Sequence, residues 1–202
     1  MHVTFIRHSI TDGNMASIYQ GHLDYPLCDE GIELARNAPN DPAVRKVFTS
    51  HLSRTIQTAE ILYPNAEIIP DPGLAEMHFG RFEGRSWKDM GDDPEYSAWV
   101  DSQCELPCPD GESKAGFTQR CRHAFRKILA AEAAAGSGNL HLVVHSGTLM
   151  AVLSGMALPE RPYFEWRSGN CGGYLLECAS LHSERPLHLV RQIASPAAVE
   201  YE

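Results

Sequence analysis

The sequence predicts a single α/β domain in which short buried strands alternate with amphipathic helices. Short runs of apolar and β-branched residues recur along the chain at the length of buried strands. Between several of these runs, apolar residues recur at helical spacing. A chain of 202 residues suits one domain with a substantial core, and no internal repeat or linker divides it.

The composition narrows the classes of partner. The chain is 43% hydrophobic and 21% charged, which is typical of a globular protein, and its net charge of −9 argues against a surface for nucleic acid or anionic membranes. No apolar run reaches the length of a membrane span, and the first strand begins within two residues of Met1. We therefore expect a cytoplasmic location. The sequence leaves the oligomeric state open, a homodimer included.

The first predicted strand, Val3–Ile6, runs directly into Arg7 and His8. Ligands of open α/β sheets bind beyond the carboxyl ends of the strands, where these two side chains fall. A guanidinium beside an imidazole suits a phosphoryl group, because one can clamp its oxygens while the other attacks phosphorus. Turn residues follow as far as Asn14, whose amide can donate to an anion. A helix is then expected over 28–36.

A second strand, over 46–50, leads into a helix that carries Arg54 in its first turn and ends at Pro64. A cation at a helix N-terminus is unfavourable unless an anion lies nearby, so Arg54 is a candidate phosphate ligand; a solvent-exposed arginine is the alternative. A third strand, Glu67–Ile69, precedes Glu76. The apolar neighbours of Glu76 are expected to raise the pKa of its carboxyl, which suits a general acid.

Residues 82–110 form an aromatic and acidic segment that prolines interrupt. We expect short helices here, inserted as a cap over the candidate site. The aromatic side chains either line a substrate pocket or form a satellite core, and the sequence leaves both alternatives open. These side chains are Trp87, Tyr96 and Trp99.

The last part of the chain repeats the pattern of a strand that ends in a histidine. A long helix is expected from Ser113 to 136–138, and a strand over 140–144 then leads into His145 at the start of another helix. His145 thus occupies the same kind of position as His8. The chain closes with predicted strands at Gly173–Cys178 and Leu187–Ile193 and a loose tail over Ala194–Glu202.

We expect neither a metal site nor a disulfide framework. Cys104, Cys108, Cys121 and His123 have the chemistry of zinc ligands, but Cys121 falls on the apolar face of the long predicted helix. A domain of this size does not need disulfides, and an untargeted protein meets a reducing compartment.

Taken together, four motifs in this order resemble the histidine phosphatase superfamily, which has the phosphoglycerate-mutase-like fold. The resemblance covers nearly the whole chain. It implies one domain over 1–202, built as a three-layer α/β/α sandwich with a mostly parallel sheet and a small helical cap inserted at about 82–110. The motifs are Arg7-His8-Ser9-x-Thr11-x-x-Asn14, Ser50-x-x-x-Arg54-Thr55-x-x-Thr58-Ala59, Glu76 with Phe79-Gly80, and Val144-His145-Ser146-Gly147.

The resemblance also implies a phosphatase that needs no metal or cofactor and hydrolyses a small phosphate monoester through a phosphohistidine. His8 would attack phosphorus, and Glu76 would protonate the leaving oxygen. We expect His145 to donate as an imidazolium, and its charge to help keep His8 neutral in a coupled titration. The implied catalytic residues are His8, Glu76, His145, Arg7 and Arg54, and the implied phosphate-binding residues are Arg7, Asn14, Arg54, His145, Gly21 and Ser146.

Within the superfamily, the chain is most similar to the α-ribazole-5′-phosphate phosphatases of cobalamin synthesis. Sugar-phosphate and broad-specificity phosphatases share part of these motifs, so the substrates of those enzymes remain alternatives for this chain. A phosphoglycerate mutase is less favoured, because the predicted cap is short and acidic, and a non-catalytic binding module is the least favoured alternative. The likeness rests on Tyr19-x-Gly21-His22, Glu76-Met77-x-Phe79-Gly80-x-Phe82-Glu83-Gly84, Tyr96-Ser97-Ala98-Trp99 and Gly111-Glu112-Ser113.

Two residues depart from the family pattern. Ser9 stands where glycine is usual, and we expect strain there if the backbone requires a positive φ. Cys28 stands where a capping threonine is usual, which predicts a helix start without a side-chain cap.

Overall fold

The computed structural model describes residues 1–197, so part of the predicted tail, Ala194–Glu202, lies outside the described residues. Within residues 1–197 the chain forms seven strands and six α-helices. The strands are β1 (His2–Arg7), β2 (Lys46–Thr49), β3 (Glu67–Pro70), β4 (Asn139–Val144), β5 (Ala157–Leu158), β6 (Gly173–Cys178) and β7 (Leu187–Ile193). The helices are α1 (Asp12–Met15), α2 (Asp29–Asn37), α3 (Ser53–Leu62), α4 (Pro94–Asp101), α5 (Lys114–Ala134) and α6 (Ser146–Met156).

All seven strands belong to one sheet with the order β3-β2-β4-β1-β6-β7-β5. Six strands run in the same direction, and β6 runs antiparallel to both of its neighbours. In the parallel pair β1 and β4, Arg7 lies opposite Val144. This register brings the residues that follow the two strands, His8 and His145, to the same point on the sheet edge.

The alternation of side chains along the strands divides the core into two layers. Phe5 of β1 packs in the cluster that contains the apolar faces of α5 and α6. Its neighbour Ile6 packs on the opposite face, in the cluster that contains α2 and α3 residues such as Ala35 and Ala59. Helices therefore cover both faces of a mostly parallel sheet, and the predicted three-layer α/β/α fold is confirmed.

The segment 82–110 contains the short helix α4, whose N-terminus is capped by the Asp93 side chain. Tyr96 and Trp99 on this helix are buried in the main core, whereas Trp87 is 55% exposed. Tyr96 and Trp99 thus pack into the main core, and Trp99 in addition lines a pocket beside the predicted site. Among the described residues, no helix is both long enough and apolar enough to cross a membrane.

The two departures from the family pattern have different outcomes. Ser9 is not among the non-glycine residues with positive φ, so the expected strain is absent. Ser9 is buried, its N–H donates to Thr58 Oγ1 at 2.9 Å, and its hydroxyl donates to the Gly31 carbonyl at 2.7 Å. Cys28 occupies the N-cap of α2 without a side-chain cap bond, as predicted.

The contact between α2 and the loop that follows His8 is unusually close. A Cβ atom added at Gly31 would lie 1.9 Å from the Ile10 carbonyl oxygen, which belongs to the backbone and cannot move independently. Only glycine at this helical position lets α2 approach the loop.

We predict that Gly31→Ala destabilises the protein. Glycine-to-alanine changes inside helices usually stabilise by up to about 1 kcal/mol, but here the overlap should lower the free energy of unfolding by about 1–3 kcal/mol. Urea unfolding measures this quantity. Gly138→Ala is the matched control, because within residues 1–197 no atom beyond its immediate chain neighbours lies within 4 Å of its added Cβ. A Gly31→Ala protein as stable as the control would contradict the close approach.

Candidate active site

A pocket of about 110 Å³ lies at the carboxyl edge of the sheet, where the chain leaves β1 and β4. Seven of the eight sequence-predicted site residues line it, although they come from segments far apart in the chain. The eighth, His145, is fully buried and lies next to the pocket behind Arg54. The seven residues are Arg7, His8, Asn14, Gly21, Arg54, Glu76 and Ser146.

His8 is held as a neutral imidazole with a defined tautomer. Its Nδ1 lies 2.6 Å from the Ser9 carbonyl oxygen. A carbonyl can only accept, so Nδ1 carries the proton and Nε2 carries the lone pair. Burial, followed by the charges of Arg54 and Arg7, lowers the pKa of His8 well below its ordinary value. The ring therefore offers an unprotonated nitrogen for attack.

Arg54 is a buried cation with only 1% of its surface exposed. Its Nη1 donates to the Leu23 carbonyl at 2.9 Å, its Nη2 to the Gly21 carbonyl at 2.8 Å, and its Nε to His145 Nδ1 at 3.2 Å. Three of the five N–H donors of the guanidinium are thus used within the described residues, and two are available to an anion. The alternative of a solvent-exposed arginine is wrong.

His145 is neutral, and the expected imidazolium is wrong. Because Arg54 Nε donates to Nδ1, this nitrogen is an acceptor, and Nε2–H donates to Ser50 Oγ at 2.8 Å. Burial, then the charges of Arg54 and of His8, lowers the pKa of His145 well below its ordinary value. His8 consequently owes its neutral state to burial and two arginines. Ser50 opens one of the four family motifs, but its contact with His145 is not predicted, because a strand-end serine carries no signal for it.

Glu76 lies where the pocket meets the N-terminus of α6. Its Oε1 accepts the Met77 N–H at 2.9 Å, and its Oε2 accepts the Gly147 N–H at 3.0 Å. Burial raises the pKa of Glu76 above its ordinary value, although these hydrogen bonds and the charges of Arg54 and Arg7 oppose the shift. The expected direction is confirmed, because desolvation outweighs the stabilising contacts.

Asn14 and Arg7 are both fixed by contacts outside the pocket. The Asn14 Oδ1 accepts from the Thr11 N–H at 3.1 Å and from the Thr11 hydroxyl at 3.0 Å, which leaves the Nδ2 amide for the pocket. Arg7 Nη1 donates to the Ser168 carbonyl at 2.9 Å. Both side chains are therefore oriented before any ligand binds.

A second, larger pocket of about 250 Å³ adjoins the first and shares five residues with it, including Arg7 and Glu76. Most of its walls are aromatic or apolar, and they include Trp99, one of the aromatic residues of the predicted cap. The other wall residues come from five separate segments, and no local sequence signal places them around one pocket. They include Tyr19, Met77, Phe79, Phe117, Met150, Tyr163 and Phe164, with Lys114 and Arg167 also in the lining.

Comparisons with known proteins agree with this geometry. The profile of the histidine phosphatase superfamily (branch 1) matches residues 3–184. The adenosylcobalamin/α-ribazole phosphatase of Salmonella typhimurium is 32% identical over 166 residues, which cover 76% of this chain and 78% of that protein.

Two solved structures extend the likeness to three dimensions. The α-ribazole phosphatase of Shigella flexneri superposes with a TM-score of 0.80 at 26% identity, covering 99% of this chain and 100% of that one. A phosphoglycerate mutase of Thermus thermophilus has a TM-score of 0.70 at 26% identity, with coverages of 96% and 99%. This chain therefore belongs to the histidine phosphatase superfamily and is a metal-independent phosphatase.

Proposed function

We propose that the protein hydrolyses α-ribazole 5′-phosphate through a phosphohistidine at His8, in the nucleotide-loop branch of cobalamin synthesis and in the cytoplasm. One observation carries the proposal. A neutral histidine with its Nε2 lone pair available lines a small pocket with two arginines, and this pocket opens into a larger aromatic one. The names of the Salmonella and Shigella relatives support the choice of substrate.

The small pocket suits the phosphoryl group. Phosphoryl transfer is catalysed mainly by positioning and by stabilising charge on the equatorial oxygens. Arg54 contributes two N–H donors that no residue within 1–197 uses, and Arg7 adds a second guanidinium. Asn14 adds a neutral amide donor. Charge-assisted hydrogen bonds of this kind are short and directional, so they fix phosphorus in line with His8.

In the first step, His8 Nε2 forms a bond to phosphorus as the bond from phosphorus to the substrate's 5′ oxygen breaks. Protonated Glu76 gives its proton to that oxygen, and the alcohol leaves. The phosphorylated ring retains its Nδ1 proton, which stays hydrogen-bonded to the Ser9 carbonyl.

In the second step, the Glu76 carboxylate takes a proton from water as the water oxygen attacks phosphorus. The phosphorus–nitrogen bond then breaks, and inorganic phosphate leaves with His8 neutral again. Glu76 is protonated at the end of the step, so the cycle closes without an external proton carrier.

The aromatic pocket suits the base of α-ribazole. Tyr19 and Phe79 lie edge to face with ring centroids 5.1 Å apart, and Phe79 lies 6.1 Å from Trp99. A benzimidazole ring against these walls would bury apolar surface and gain ring contacts. Phosphoglycerate, which is small and anionic at both ends, would leave most of these walls without contacts.

We predict that kcat/KM for α-ribazole 5′-phosphate exceeds that for sugar phosphates and for 3-phosphoglycerate by about 10-fold or more, the equivalent of about 1.4 kcal/mol of ring burial. Phosphate release with chelator present measures it. Phe79→Leu should lower kcat/KM for the aromatic substrate more than for a sugar phosphate. Faster turnover or isomerisation of 3-phosphoglycerate would favour a mutase, and no turnover of any ester would favour a binding module.

The pH dependence should reflect two shifts of opposite sign. The pKa of His8 lies well below 6.5, so the ring stays neutral as the pH falls through the range where an ordinary histidine is protonated. The pKa of Glu76 lies above 4.5, so the acid keeps its proton to a higher pH than an ordinary glutamate. Wild-type kcat/KM should therefore stay high below pH 6.5 and fall on the alkaline side.

Glu76→Gln should abolish the alkaline decline in kcat/KM, because glutamine does not ionise. Ionisation of the substrate affects both proteins equally, so the ratio of the two profiles isolates Glu76. An alkaline limb that is the same in the variant and in the wild type would contradict the acid role.

A further inference from the structure

The loop that carries Glu76 is held by its backbone carbonyls. Residues 75–79 form no helix or strand, yet the carbonyls of four successive residues, 73–76, all accept side-chain hydrogen bonds. Thr148 Oγ1 on α6 donates to Leu74 and Ala75 at 3.1 and 3.2 Å. His22 Nε2 contacts the Glu76 carbonyl at 3.0 Å.

Arg120 on α5 makes most of these bonds. Its Nη1 donates to the Gly73 carbonyl at 3.2 Å and to the Ala75 carbonyl at 3.1 Å, and its Nη2 donates to the Glu76 carbonyl at 3.2 Å. The two remaining bonds go to Glu112, from Nε to Oε1 at 2.8 Å and from Nη2 to Oε2 at 2.7 Å. All five N–H donors of the guanidinium are therefore used.

Glu112 fixes the chain on the other side of the acid. Its Oε2 accepts the His78 N–H at 3.0 Å, and its own N–H donates to the His78 carbonyl at 2.8 Å. Although burial opposes the shift, the bonds from Arg120 and from the His78 N–H hold the pKa of Glu112 below its ordinary value. Arg120 thus holds the residues up to Glu76, and Glu112 holds the residue two positions after it.

We infer that Arg120 and Glu112 form a pair of positioning residues that hold Glu76 at the leaving oxygen of the substrate. Neither side chain is among the residues that line the two pockets of the site. The pair therefore acts through the backbone of residues 73–78 and not through contact with the substrate. This inference rests on the general-acid role of Glu76 in the proposed function.

The inference predicts a selective defect. A misplaced general acid slows esters whose alcohol is a poor leaving group, while an ester with a good leaving group needs little protonation. Loss of the pair should therefore resemble loss of the Glu76 carboxyl. A role in fold stability alone would slow all substrates alike.

The test compares Arg120→Met with Glu76→Gln on two substrates, p-nitrophenyl phosphate and the alkyl phosphate that the wild type hydrolyses best. Arg120→Met should lower kcat for both esters, and the loss for the alkyl ester should exceed the loss for the nitrophenyl ester by about 10-fold or more. KM should change little. When Glu76→Gln is already present, adding Arg120→Met should lower kcat for the alkyl ester by less than about 3-fold, because Arg120 and Glu76 act as one unit.

Two further variants keep the test decisive if Arg120→Met folds poorly by circular dichroism and thermal unfolding. Arg120→Lys supplies at most three donors in place of five, and Glu112→Gln removes the carboxylate from the pair. Both should show the same selectivity to a smaller degree. Arg126→Met is the matched control, because this exposed arginine lies on the same helix and, in the described part of the chain, donates only to the Glu184 carbonyl. It should leave both activities unchanged.

The possible failures are distinguishable. If Glu76→Gln itself shows no selectivity for the alkyl ester, the acid role in the proposed function is wrong, and the inference falls with it. If Glu76→Gln is selective but Arg120→Met slows both esters equally, or its effect adds in full to that of Glu76→Gln, the inference alone is overturned.

Discussion

The buried charge of Arg54 is the constraint on which the rest of the site depends. Removing a guanidinium from water costs on the order of several kcal/mol unless hydrogen bonds replace its hydration. Here two loop carbonyls, at Gly21 and Leu23, and His145 Nδ1 supply those bonds. The charge therefore fixes the loop after α1, and it also fixes the tautomer of the second histidine. The two Arg54 donors that have no partner among the described residues define where an anion binds.

Neutrality of both histidines follows from the same constraint. A buried cation beside each ring opposes protonation, and burial of the rings acts in the same direction. His8 has its Nδ1 proton committed to the Ser9 carbonyl, and this leaves Nε2 as the nucleophile. The positive charge of the site comes from Arg7 and Arg54, which a protein of net charge −9 places together at one point of its sheet edge.

Glu76 lies at the border between a polar pocket and an apolar one, and it is shared by both. Backbone N–H groups of Met77 and Gly147 orient its carboxyl, while burial keeps the proton on it. A Cβ at Gly147 would lie 2.1 Å from Oε1, so the glycine after Ser146 is what allows this approach. The position of the acid is therefore set by the backbone of its own loop and of the first turn of α6.

Local patterns predict much of this fold and only part of this site. Strands such as Gly173–Cys178 are predicted to the residue, and the rule that ligands lie beyond strand ends brings His8 and His145 together. The burial of Arg54 and the protonation state of His145 depend on packing between distant segments, which no local pattern encodes. The same holds for the aromatic walls and for Arg120. The rings of Tyr19 and Phe79 meet from distant parts of the chain, and Arg120 donates to the Gly73 carbonyl 47 positions away.

The site of phosphorylation tests the central claim most directly. Glu76→Gln protein, in which hydrolysis of the phosphoenzyme should be slow, is mixed with labelled p-nitrophenyl phosphate and quenched in alkali. Peptide mass spectrometry then gives the residue, and ³¹P NMR gives the phosphohistidine isomer. The account predicts phosphate on Nε2 of His8, because Nδ1 is committed to the Ser9 carbonyl. Phosphate on Nδ1, phosphate on His145, or turnover without any phosphoenzyme would contradict it.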